Sequence, residues 1–184
     1  MKHNLAYKIL QWRGWHIVKE VQLPERCVVC IAPHTSNWDF IVGILFKSAM
    51  HIKASFFMKK EWFRFPLGGM MRKLGGIPVE RSKKTSMTDR IAQEFSLRDH
   101  LIVALTPEGT RSLNANWKMG FYYIAQKADV PIVLAFIDYG KKCVGYDTIL
   151  HPSGNIDADM ARISDYYRHV NAKYPAKFTI PQNL

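Results

Sequence analysis

The sequence predicts an α/β fold: a single layered domain, with a mostly parallel central sheet flanked by helices and an N-terminal amphipathic helix. Three observations predict it. Short apolar runs alternate with segments whose apolar residues recur at helical spacing, as in strand–helix units that feed a parallel sheet. Polar residues able to do chemistry stand directly after apolar runs, and sites in such sheets form beyond the carboxyl ends of strands. No repeat, low-complexity tract or linker interrupts the 184 residues, a length suited to one domain. The chain is accordingly divided into an amphipathic segment, 1–24, and the main domain, 25–184.

The stretch from Lys2 to Glu20 mixes Leu5, Ile9, Leu10, Trp12, Trp15, Ile17 and Val18 with Lys2, Lys8, Arg13 and Lys19. This composition suits a helix lying at a membrane interface, or one docked on the domain's own core, and both readings stay open here. Gly14 weakens a continuous helix. Cys27 to Ala32 is a strand ended by Pro33, and Trp38 to Met50 carries Phe40, Ile41, Ile44, Leu45 and Ala49 at helical spacing. Ile52 to Met58 reads as a strand, Trp62 to Leu74 as a helix interrupted by Pro66, and Ile77 to Val79 as a short strand. A helix over Met87 to Leu97 follows, with Ser86 or Thr88 as its cap. Leu101 to Leu105 is a strand, Lys118 to Lys127 a helix, and Ile132 to Ile137 and Lys142 to Ile149 are strands. Asp159 to Lys173 closes the chain as a helix.

Lys and Arg number 26 against 15 Asp and Glu, a net charge of +11 with His neutral. Such a surplus favours anionic partners: nucleic acid, anionic lipid, phosphorylated substrates or an acidic carrier protein. The cations are scattered, and no arginine-rich tail, zinc-finger spacing or RNA-binding aromatic signature appears, so nucleic acid is not expected as a partner. Cys27 and Cys30 have CxxC spacing but lie within an apolar strand. No further ligands stand at matching spacing, so buried strand cysteines are expected and no metal site. No window approaches the ~20 apolar residues of a membrane span. Gln11, Arg13 and His16 break the N-terminal stretch, and no cleavage site follows, so no signal peptide is expected.

The first constellation able to do chemistry is Pro33-His34-Thr35-Ser36-Asn37-Trp38-Asp39. A His just past a strand, with Asp five positions on at a helix start, can fold back into hydrogen-bond reach. The carboxylate would fix the imidazole tautomer, leaving the other nitrogen to take a proton from a hydroxyl. Asp39 would equally suit a plain helix N-terminal charge, and His34 a structural histidine. Second comes Thr106-Pro107-Glu108-Gly109-Thr110-Arg111-Ser112 after a strand. Glycine allows a tight turn there, Arg111 offers a fork for phosphate, and Glu108 is expected to pair with an arginine or a substrate hydroxyl. Third, Gly75-Gly76-Ile77-Pro78-Val79-Glu80-Arg81 places another acid–arginine pair after a short strand. Fourth, Val130-Pro131-Ile132-Val133-Leu134-Ala135 reads as wall.

In this order the four blocks resemble the signature of the glycerolipid acyltransferases of the lysophosphatidic acid acyltransferase type. His34 to Asp39 matches that family's His-x4-Asp block, and Glu108 to Ser112 its Glu-Gly-Thr-Arg-Ser block without change. Gly75 to Arg81 matches Gly-x-Ile-Phe-Ile-Asp-Arg, with Pro78 for Phe and Glu80 for Asp. Val130 to Val133 matches Val-Pro-Ile-Val-Pro, with Leu134 at the second proline. Trp117-Lys118-Met119-Gly120 looks like the family's Phe-Lys-x-Gly step, and Lys59-Lys60-Glu61 like its basic step between the first two blocks.

The resemblance implies an O-acyltransferase of phospholipid biosynthesis, without metal or bound cofactor, for which acyl-CoA or acyl carrier protein is a cosubstrate. It implies His34 as general base and Asp39 as its orienting partner. Lys60, Arg81, Glu108, Gly109, Thr110 and Arg111 would bind substrate. The implied acceptor is a lysophospholipid such as 1-acyl-glycerol-3-phosphate, met at an anionic membrane surface by a peripheral protein on the cytoplasmic face. Three rivals stand beside it. One is acylation of another lyso-lipid, such as a lyso-aminolipid. Another is a hydrolase using the same His–Asp pair on water, although no Gly-x-Ser-x-Gly elbow is present. The third is a non-catalytic module that binds anionic membranes.

Overall fold

The computed structural model describes residues 4–79 and 87–181. Its strands are β1 (His16–Lys19), β2 (Arg26–Ile31), β3 (Ala54–Lys59), β4 (Gly76–Val79), β5 (Leu101–Leu105), β6 (Ile132–Asp138) and β7 (Cys143–Leu150). They form one sheet in the order β1-β7-β6-β2-β5-β3-β4. β2 is central and pairs in parallel with both β5 and β6, and β3 pairs in parallel with β5 and β4. β7 runs antiparallel to β6, and β1 lies parallel to β7 at the edge. The sheet is therefore mostly parallel, as predicted.

Helices cover both faces. α1 (Leu5–Trp12) and α2 (Asn37–Ala49) lie on one. There Leu10, Val42 and Phe46 pack on Cys27 and Val29 of β2 and on Val133, Ala135 and Ile137 of β6. α4 (Met87–Ser96), α5 (Gly120–Ala128) and α6 (Ile156–Arg168) cover the other, over Val28, Cys30, Ile132 and Leu134. Successive strand residues point to opposite faces, so a strand covered twice is apolar along its middle, and only its ends, Arg26 of β2 and Asp138 of β6, carry charge. That is why β2 and β6 read as unbroken apolar runs. Cys27 and Cys30 are buried as expected, and burial pushes both thiols up to about 12.

The N-terminal segment differs from its expected form. Its helix ends at Trp12; Gly14 takes a positive φ of 76°, a conformation that glycine adopts without strain, and residues 16–19 become β1. α1 is docked on the domain: Ala6 and Leu10 are buried, and Asn4 Nδ2 donates to the carbonyl of Ser48 at 2.7 Å. Leu5 and Trp12 on its other side stay exposed. The helix expected over 62–74 is divided into the 3₁₀ turn Lys60–Phe63 and α3 (Leu67–Lys73), with a cis Phe65–Pro66 peptide between them. The last helix begins three residues earlier than expected, because the Asn155 side chain caps it by accepting from the Ala158 N–H at 3.1 Å. The alternation of elements did not indicate that β7 returns antiparallel. Tyr139 to Lys142 make a tight hairpin there instead of a crossover helix.

Candidate active site

β2, β5 and β3 are neighbours and parallel, so the segments that leave their carboxyl ends share one rim of the sheet. His34 follows β2, Glu108 follows β5, and Lys60 opens the 3₁₀ turn after β3. The rim gathers what the sequence scatters over some 75 residues.

The His34 corner is built by a helix cap. Ser36 is the N-cap of α2, and its hydroxyl accepts from the Trp38 N–H at 3.1 Å. Asp39 stands at the third helical position and completes a capping box: its Oδ2 accepts from the Ser36 N–H at 2.8 Å and from the Thr35 N–H at 2.8 Å. Folding back over the cap brings the same oxygen to 3.4 Å from His34 Nδ1. Asp39 is therefore both the helix-capping charge and the partner of His34, two alternatives that the sequence left open. The spacing has a physical cause, since a carboxylate at the third helical position reaches the residues just before the cap.

A third anchor on Asp39 comes from far along the chain. The Tyr139 hydroxyl donates to Oδ1 at 2.8 Å. Asp39 is 4 % exposed, and burial alone would raise its pKa. Hydrogen bonds from His34, Tyr139 and the Ser36 amide outweigh that and hold the carboxyl below its usual range. A carboxylate that stays ionised there favours a proton on Nδ1 of His34, which leaves Nε2 as the basic nitrogen. The His34 side chain keeps 22 % exposure, enough for a substrate to reach it.

Glu108 turns inward. It is 3 % exposed, and both its oxygens accept from the backbone N–H of His34, at 2.9 and 3.1 Å. The carboxylate thus holds the histidine backbone. The buried position follows from Pro107 and Glu108 leaving the end of β5 beside β2 before the chain turns outward at Gly109. Burial pushes Glu108 up to about 7, the His34 amide pulls it back, and the charge on Asp39 adds to the rise.

Beyond Glu108 the chain emerges. Gly109, Thr110, Arg111 and Ser112 are exposed. Gly109 adopts a positive φ of 66°, and a Cβ on it would come within 3.2 Å of the Lys118 side chain. The Asn114 side chain braces the turn by donating to the carbonyls of Glu108 and Asn116 at 2.8 and 3.0 Å. Arg111 is thus carried on a shaped turn at the same rim. Arg81 lies outside the described residues.

Sequence reasoning missed Tyr139. It stands directly after β6, with no motif around it. It also missed Lys173, whose ammonium lies 5.2 Å from the ring centre of Trp38, 5.3 Å from Tyr139 and 5.9 Å from Tyr174. Beside these residues a groove of about 580 Å³ runs between α1 and α2. Ile9, Trp12, Ile41 and Leu45 line it, with Arg13, Lys142 and Lys173 at its margin.

The arrangement presents an oriented imidazole, an apolar groove on one side and a cationic turn on the other. A family model described as Acyltransferase matches residues 15–137, which hold both the His34 corner and the Arg111 turn. The chain belongs to the acyltransferase family. No curated protein matches it. Among solved structures it is similar to the crystal structure of the 1-acyl-sn-glycerophosphate (LPA) acyltransferase, PlsC, from Thermotoga maritima. That likeness has a TM-score of 0.59 at 19 % identity and covers 88 % of this chain and 72 % of the other. The two share a fold. Among the described residues of this acyltransferase, no helix is long and apolar enough to cross a membrane.

Proposed function

We propose that this acyltransferase moves a fatty acyl group from the thioester of acyl-CoA or acyl carrier protein to a hydroxyl of a lysophospholipid such as 1-acyl-glycerol-3-phosphate. The observation that carries the reading is the His34 imidazole, tied to buried, ionised Asp39 through Nδ1 with Nε2 left for a substrate proton. Nε2 removes the hydroxyl proton as the oxygen attacks the thioester carbonyl. The C–S bond then breaks, and the departing thiolate takes the proton back from the imidazolium. No acyl-enzyme intermediate is needed. General base help of this kind supplies ~10²–10⁴-fold, and holding two substrates in register can supply more.

Arg111 suits the acceptor's phosphate, because its planar fork meets two oxygens at once. Gly109 and Thr110 shape the turn that presents it, and Arg81 and Lys60 add positive charge after β4 and β3. The groove between α1 and α2 supplies an apolar wall for a chain, and the protein works peripherally at an anionic, cytoplasmic membrane face. Glu108 acts indirectly, by fixing the His34 backbone. The reading is supported by the family match, by the geometry of His34 and by the surplus of cations.

The test is purified protein assayed against a panel of lysolipids, each with acyl-CoA and with acyl carrier protein as donor. Ester formation on a lysophospholipid with a free phosphate is the expected result. Fatty acid released equally with and without an acceptor would replace this reading with a hydrolase.

A further inference from the structure

The segment between β3 and β4 exposes more apolar surface than its size warrants. Phe65 is 98 % exposed, Met70 50 %, Trp62 47 % and Leu67 42 %. α3 buries only Gly68 and Met71 against the domain, and among the described residues one side of this short helix and the turn before it stay largely exposed. Three exposed cations, Arg64, Arg72 and Lys73, are interleaved with these side chains, against one exposed acid, Glu61. The Arg72 guanidinium lies 5.4 Å from the ring centre of Phe63 and so stays within the aromatic cluster.

We propose that this element, Trp62 to Met70, inserts into an anionic lipid surface and sets the height of the active site above it. Aromatic rings at headgroup depth with cations beside them are what an anionic bilayer selects, whereas a protein partner would more often find the charges thinned at the patch centre. Placement in the fold adds an independent argument. The turn leaves the carboxyl end of β3, two strands from β2 in the sheet, so the strand ends from which the aromatic turn and His34 depart stand about 10 Å apart. Insertion of Trp62 and Phe65 would bring Nε2 of His34 to the level where a lysolipid presents its hydroxyl. The proposal rests on a lipid acceptor and adds a surface that is separate from α1.

Vesicle sedimentation tests it without turnover, using phosphatidylcholine vesicles with and without phosphatidylglycerol. Wild-type protein should bind the mixed vesicles more tightly than phosphatidylcholine alone, and the double variant Trp62→Ser/Phe65→Ser at least tenfold more weakly. Leu97→Ser should bind as wild type: Leu97 is 71 % exposed but sits before β5, at the opposite end of the sheet. A double variant that keeps its thermal midpoint and still binds at full strength overturns the proposal, as does one that merely turns a dimer into a monomer. Should the double variant fail to fold, Trp62→Phe gives a second reading, because quenching of tryptophan fluorescence by brominated lipid should drop. Undiminished quenching counts against insertion. Loss of binding without turnover on any lysolipid would keep this surface and sink the acyl-transfer reading, so the two fail separately.

Discussion

Two turns leave neighbouring parallel strands at one rim of the sheet, and they are built in opposite ways. The turn after β2 is closed: Thr35, Ser36 and Asp39 are buried, and the Asp39 carboxylate meets two backbone amides, a tyrosine and His34. The turn after β5 begins buried at Glu108 and then opens, so that Gly109, Thr110 and Arg111 stand in solvent. Proton transfer is sensitive to small misplacements, and a general base gains from being held before the substrate arrives. A phosphate-gripping arginine can instead settle on its ligand, because its charge is permanent and its fork adapts. The difference predicts that changes in the closed turn act on kcat, and changes in the open turn act on KM.

The sharpest way to break that contrast is His34→Ala. Acyl transfer should fall by ~10²–10⁴-fold or more while the fold and thermal midpoint hold, since His34 follows a strand instead of filling one. Near-normal turnover with a competent donor and acceptor would remove the central claim. In the open turn, Arg111→Lys keeps the charge and loses the planar fork, and should raise the acceptor's KM about tenfold. The donor's KM should not move. A donor-side defect would reassign the turn.

Tyr139→Phe sharpens the comparison from inside the closed turn. It removes the hydroxyl on Oδ1 and leaves the amides on Oδ2 intact. One such bond is worth about 1 kcal/mol, so kcat should fall about fivefold with both KM values steady. A purely structural tyrosine would lower the thermal midpoint and leave kcat alone.

These two turns also show what a sequence can and cannot reveal. The strands with helices on both faces were legible because double burial leaves unbroken apolar runs, as in β2 and β6. The corner between His34 and Asp39 was legible, since a carboxylate at the third helical position can fold back over the cap. The pairing of Glu108 with the His34 amide was not: it joins residues 74 positions apart, and no local spacing marks it. β1 was missed because four residues at a sheet edge, the outer two exposed and the inner two half-buried, carry little periodic signal, although Gly14 marked the break. Tyr139 lacked a motif, and only the topology that lays β6 beside β2 brings it to Asp39.

Glu108→Gln tests the closed turn through stability instead of turnover. In the folded protein burial raises Glu108 from 4.5 to about 7, so its carboxyl binds a proton more tightly folded than unfolded. Its contribution to stability is then complete below pH 4.5 and is lost as pH rises from there through 7. At 1.36 kcal/mol per pH unit the loss is about 3 kcal/mol. Gln does not titrate, and its side-chain oxygen can still accept from the His34 N–H. The variant should match wild type near pH 4.5 and exceed it by about 1–3 kcal/mol at pH 8, read from urea unfolding at both values. A difference that stays constant across the range would mean that Glu108 is ionised at acid pH, and that the buried charge costs this corner nothing. If the gain in stability at pH 8 comes with a lower kcat, the ionised carboxylate is needed where it stands. The closed turn would then hold its histidine by keeping a charge that folding disfavours.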